Sequence, residues 1–219
     1  MKLLQQKSYL HIITIATATV AVELLITAPA WAHHPLDGRL PANFFEGMMS
    51  GLGHPVIGFD HLTFVIASGL IALKITGGII IPVAFVIATA IGAGIHLAAI
   101  DLPIPEIIIA ATVVLFGILL ATKSKQQRNI QHSFKIAGLA AIAGIFHGFA
   151  YGEGIFGAEP TPMLAYLIGF TIIQLVISLG TYVLASQLIK SIPAKYLTRF
   201  AGGAIASCGI VFLSSAIVG

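Results

Sequence analysis

Charge is scarce in this chain. Only 9% of its 219 residues are Asp, Glu, Lys or Arg, against 58% that are hydrophobic, and the mean hydropathy is +1.01. No soluble domain of this size hides so much apolar surface in one core, so lipid must be part of its solvent. Cysteine is nearly absent: Cys208 stands alone, which excludes an intramolecular disulfide and a cysteine-built metal cluster. Its place in a run of small residues points to close helix packing. No methionine or thiol cluster of the kind that selects copper(I) is present. No Gly-x4-Gly-Lys phosphate loop occurs, so that route to ATP hydrolysis is missing. The net charge of +3 comes from basic residues set between hydrophobic segments. They form no stripe interleaved with aromatics, and nucleic acid is not an expected partner.

What is present is a succession of apolar stretches. Lys2 precedes a mostly apolar run from Tyr9 to Ile26, and Ala30-Trp31-Ala32 has the small-x-small form that signal peptidase reads. This predicts a cleaved signal peptide over 1–32, a periplasmic N-terminal segment over 33–50 and a transmembrane domain over 51–219. The competing reading is an uncleaved first helix, because the stretch, though broken by Glu23, is long for a signal peptide. Beyond Glu46, stretches near the ~20 residues needed to cross a bilayer run over Gly51–Leu73, Gly78–Ile100, Pro103–Thr122, Ile136–Phe156, Pro162–Ile189 and Phe200–Val218. The expected fold is therefore an all-α membrane protein, a bundle of six transmembrane helices after a cleaved N-terminal signal peptide.

Lys and Arg are retained on the cytoplasmic side of the spans they flank. With a translocated mature N-terminus, Lys74, Lys123, Lys125, Arg128, Lys135, Lys190, Lys195 and Arg199 all fall inside, and Arg39 alone falls outside. Asp37, Glu46, Asp101, Glu106 and Glu159 collect outside. Six spans with both mature ends periplasmic in a bacterial cytoplasmic membrane fit every charge. Small residues at helix-packing spacing occur in Ala140-x3-Gly144-x3-Gly148 and Gly202-x3-Ala206.

The chemistry lies in the polar residues of these spans. His54, Asp60 and His61 stand in the first, where each ionisable group costs roughly 2.5 kcal/mol or more if unpaired at mid-membrane. In a continuous helix His54 and His61, seven residues apart, share one face two turns apart, with Asp60 about 100° to the side. Pro55 is expected to start or kink the helix, turning His54 back towards the same cavity. The fourth span holds His147 and, six positions on, Glu153, embedded in glycines that weaken the helix. Interrupted helices at membrane depth line cavities and bind substrates in many transporters. The equal spacing of His54 to Asp60 and His147 to Glu153 raises the prospect of two inverted-topology repeats facing each other. The second span adds His96 near its outer end. Imidazole with carboxylate suits a divalent first-row ion. The competing reading is a helix-bridging polar network. At the expected mature N-terminus, His33 chelates through its α-amine and ring, joined by His34 and Asp37, or else the segment is a solvated tail.

These residues resemble the HupE/UreJ proteins, membrane proteins associated with nickel or cobalt uptake. The resemblance covers the layout of the mature chain. It is carried by His33-His34-Pro-Leu-Asp37, by His54-Pro-x4-Asp60-His61, and by Phe146-His147-Gly-x-Ala-x-Gly-Glu153. It implies metal-handling roles for His54, Asp60, His61, His147 and Glu153; His96 is assigned from its chemistry. One departure is Tyr151, standing where a further histidine is expected, which removes a ligand. The implied function is a secondary permease taking Ni2+ or Co2+ as substrate, with no permanent cofactor. Its partners are the ion and the lipid bilayer, with a homo-oligomer left open. The alternative from another class is an intramembrane zinc-dependent hydrolase built on the same side chains.

Overall fold

The computed structural model describes residues 39–122 and 130–218. The expected signal peptide, His33, His34, Asp37 and the basic run from Lys123 to Arg128 lie outside these residues. Among the described residues there are seven α-helices and no strand: α1 (Phe44–Ile57), α2 (Phe59–Lys74), α3 (Ile80–Leu97), α4 (Pro105–Ala121), α5 (Ile130–Glu153), α6 (Pro160–Leu188) and α7 (Ala194–Val218). Four of them, α3, α5, α6 and α7, are long and apolar enough to cross a membrane, and α1 with α2 forms a fifth candidate span bent by 78°. The 17 residues of α4 are also apolar. At 1.5 Å per residue they reach about 26 Å, slightly less than the hydrocarbon layer of roughly 30 Å.

Several helices extend beyond the apolar stretches that announce them. Helix α5 begins at Ile130 and α7 at Ala194, each taking in polar residues such as Gln131 and Lys195. Hydropathy marks the lipid layer, whereas a backbone hydrogen-bond ladder continues as long as the chain permits. The ends follow local chemistry. Asn43 caps α1, its side chain accepting the Glu46 amide at 2.9 Å. The Glu46 carboxylate reaches back to the Ala42 amide at 3.0 Å and pairs with Arg39 at 3.1 Å, a reciprocal arrangement of the capping-box kind. Pro opens α4 and α6, where its missing N–H has no partner to lose. At the far end of α4, Lys74 donates from Nζ to the carbonyls of Leu119, Leu120 and Thr122 at 2.8–3.0 Å. A charge read as a topology signal is thus also a helix cap.

The main correction concerns the first span. It is two helices, not one, and the break falls at Gly58, three residues beyond Pro55, which lies inside α1. Pro55 supplies no N–H to the carbonyl four residues before it. The Gly58 amide still closes the last turn of α1 on the His54 carbonyl at 3.0 Å, and the Gly58 carbonyl opens α2 by accepting from Leu62 at 2.8 Å.

Packing rests on glycine. A Cβ on Gly144, Gly148 or Gly152 would meet backbone or Cβ atoms of α3 within 2.0–2.7 Å; on Gly47 or Gly51 it would meet α6 at 2.2 Å, and on Gly202 it would meet α4 at 2.3 Å. The helix pairs α3 with α5, α1 with α6, and α4 with α7 are therefore in backbone contact, as small-residue spacing in lipid predicts. Matching residues rise together along the first two pairs, which are parallel, and run oppositely along the third, which is antiparallel. Helix α2 sits among the others, with Phe64, Val65 and Ala67 fully buried. The polarity is that of a protein in lipid. Ser68, Thr89, Ser133, His147, Gln174 and Ser178 are inside at 0% exposure, while Ile87, Ile91, Leu164, Val176 and Leu184 face outwards.

Candidate metal centre

The break at Gly58 brings together what one continuous helix would hold apart. Two turns of helix separate residues by about 10.5 Å along the axis, yet the ring centroids of His54 and His61 lie 6.1 Å apart. Gly58 leaves room at this corner, because a Cβ there would press on the His61 ring, 2.8 Å from its Cδ2. Both rings are buried. Asp60, half-buried in the first turn of α2, accepts the His61 amide on Oδ1 at 2.8 Å, placing its charge where the helix dipole favours it.

His147 arrives from α5. Its Nδ1 lies 2.8 Å from Nδ1 of His61, and it is fully buried against Phe64 and Phe85 at centroid distances of 4.7 and 5.5 Å. On the other side Nε2 is 3.2 Å from the Thr112 hydroxyl of α4. His54 has a parallel partner: Tyr166 of α6 places its hydroxyl 2.5 Å from Nδ1 and donates to the Tyr151 carbonyl at 2.8 Å. Gly154 leaves room for this, since a Cβ there would stand 2.9 Å from Cε1 of His54. Tyr151, also fully buried, lies 4.4 Å from the His61 ring and 5.1 Å from the His54 ring by centroid. Its hydroxyl has no hydrogen-bond partner among the described residues.

Three of the expected residues thus meet in one buried cluster, and Asp60 stands beside it. The others do not join it. Glu153 is exposed at the C-terminus of α5, and its carboxylate makes no hydrogen bond or ion pair with a described residue. His96 lies between Phe149 and Phe156 at 4.5 and 5.5 Å, with a buried Nδ1 that has no partner among the described residues. His33, His34 and Asp37 fall outside the description. His61 and His147 are hydrogen-bonded to each other and His54 to Tyr166, so the imidazoles are not spread around a common point. No three His, Cys, Asp or Glu side chains among the described residues form a ready-made metal cage. Nothing in the sequence singles out Thr112 or Tyr166. Hydroxyls are common in membrane helices, and these two reach partners 35 and 112 positions away.

Comparison with known proteins decides the family. The HupE / UreJ protein family model matches residues 20–212. The chain belongs to the HupE/UreJ family. Protein HupE of Rhizobium leguminosarum bv. viciae is similar to it, at 33% identity over 171 residues, 77% of this chain and 85% of the relative. No solved structure matches. HupE/UreJ proteins are of transporter type and are associated with nickel and cobalt uptake. This sets aside the hydrolase alternative: the chain is not an enzyme.

Proposed function

We propose that this HupE/UreJ protein is a secondary permease that carries Ni2+ or Co2+ across the bacterial cytoplasmic membrane into the cell. The observation that carries the reading is the meeting of His54, His61 and His147 at a break in a bent candidate span. Buried imidazoles in a lipid-facing bundle need a compensating partner or a ligand, and imidazole nitrogen favours nickel and cobalt over magnesium and calcium. Six spans follow from counting α1 with α2 as one and including α4. Helices three apart in that count, α4 and α7, then run oppositely, while α3 with α5 and α1 with α6 run alike, in agreement with the packing. The distribution of basic residues supports both mature ends outside, after a leader ending at Ala32.

In this scheme His96 and Glu153, at the C-terminal ends of the adjacent parallel helices α3 and α5, receive the hydrated ion. His33, His34 and Asp37 gather it at the surface. Asp60 compensates its charge as His54 and His61 replace part of its water, with His147 hydrogen-bonded behind His61. The hydrogen bond between His61 and His147 orders these two rings. The membrane potential and trapping inside the cell drive passage, with proton exchange at Asp60 or Glu153 as a variant. Uptake of radioactive nickel and cobalt into proteoliposomes tests this. The parent protein should accumulate one or both ions, and Asp60→Ala and His61→Ala should each abolish accumulation at near-normal protein levels. Parental rates in both variants would sink the reading.

A further inference from the structure

We infer that Thr112 and Tyr166 are positioning residues that decide which nitrogen of His61 and of His54 carries the ring proton, so that both rings present an unprotonated Nε2. Hydrogen-bond direction sets these tautomers. A carbonyl only accepts. The Thr112 hydroxyl lies 2.6 Å from the Ile109 carbonyl and spends its single hydrogen there, so at its 3.2 Å contact with His147 the hydroxyl accepts and Nε2 of His147 donates. A neutral imidazole has one N–H, which leaves Nδ1 of His147 as an acceptor. The 2.8 Å bond between the two Nδ1 atoms then requires His61 to donate from Nδ1, and Nε2 of His61 holds the lone pair.

The other side is set independently. Tyr166 spends its hydrogen on the Tyr151 carbonyl at 2.8 Å, so His54 donates from Nδ1 to the Tyr166 oxygen, and Nε2 of His54 holds the lone pair. Two relays from different helices, each anchored on a backbone carbonyl that cannot change role, impose the same tautomer on two rings 6.1 Å apart. Neutral imidazole ligates metals through one nitrogen while the hydrogen bond of the other fixes the tautomer. The use of these Nε2 atoms for cargo rests on the transport reading, but the tautomers do not.

The test is nitrogen-15 NMR of histidine-labelled, metal-free protein in bilayers, with rings assigned by single His→Asn variants. The expected spectrum has His54 and His61 protonated on Nδ1 and His147 on Nε2. Thr112→Val removes the acceptor while keeping the shape, and should shift His147 and His61 together towards the opposite tautomers. Thr112→Ser should restore the parental pattern, and Tyr166→Phe should alter His54 alone. Nickel affinity should fall about tenfold to a hundredfold in the Val and Phe variants, the usual effect of losing such a partner. Parental His54 or His61 protonated on Nε2 overturns the inference, whether or not either variant folds. So does a Thr112→Val spectrum identical to the parent. If the tautomers are as stated and neither nickel nor cobalt binds, the transport reading falls and the positioning roles stand.

Discussion

Tyr151 shows how the residue scale separates stability from function. Its hydroxyl is buried without a partner among the described residues, and a buried polar group left unpaired costs about 1–3 kcal/mol. Tyr151→Phe keeps the ring between His54, His61 and Phe170 and removes only that group. Thermal unfolding in detergent should show a midpoint equal to or above the parental one; a loss of about 1 kcal/mol or more would mean that the hydroxyl is satisfied. The sequence singled out this position as a departure from the family pattern. It also named His54, His61 and His147, because ionisable groups in apolar stretches stand out. Thr112 and Tyr166 could not be named, since their roles depend on which spans become neighbours, and no local spacing encodes that.

At the scale of the element, the corner at Gly58 is the least legible feature. Pro55 drew attention to the right turn of the chain but to the wrong residue: the proline stays within α1 and the break falls at Gly58, where a missing Cβ leaves space for the His61 ring. The backbone of Gly58, at φ −73° and ψ 97°, is open to any residue, so Gly58→Ala should fold. The added Cβ would press on His61 Cδ2, 2.8 Å away. Nickel affinity should drop about tenfold or more, as when a ligand loses its orientation. Parental affinity would show that the corner has slack. A second element-level prediction concerns the end of α3. Ala99 adopts φ 56°, with its amide bonded to the His96 carbonyl and the Ile100 amide bonded to the Ile95 carbonyl. This is a helix-terminating motif that favours glycine in the left-handed position. Ala99→Gly should raise stability by about 1 kcal/mol, read as a higher unfolding midpoint; a lower midpoint would contradict it.

For the whole molecule, the helices and their order were largely readable because lipid demands long uncharged stretches and the small-residue spacings mark contact faces, while among the described residues four helices and one bent pair, not six, meet the length and polarity of a span. Ala140, Gly144 and Gly148 do lie against α3, and Gly202 against α4. The matching spacing of His54 to Asp60 and of His147 to Glu153 suggested facing repeats. The two spans do meet, but through His61 and His147, while Asp60 and Glu153 share no partner among the described residues. Orientation is open to a direct check in a Cys208→Ser background. Asp101→Cys should react with an impermeant thiol reagent added to intact cells and Lys125→Cys should not, because the basic loops stay inside; the reverse pattern would invert the protein.

The central claim is that the rings gathered at the bent span hold the cargo ion. X-ray absorption spectroscopy of nickel-loaded, purified protein tests it most directly. Imidazole scattering is expected in the parent, lost in a His54→Ala, His61→Ala double variant and kept in His132→Ala, which alters a histidine outside the cluster. Identical nickel spectra for the parent and the double variant would contradict it.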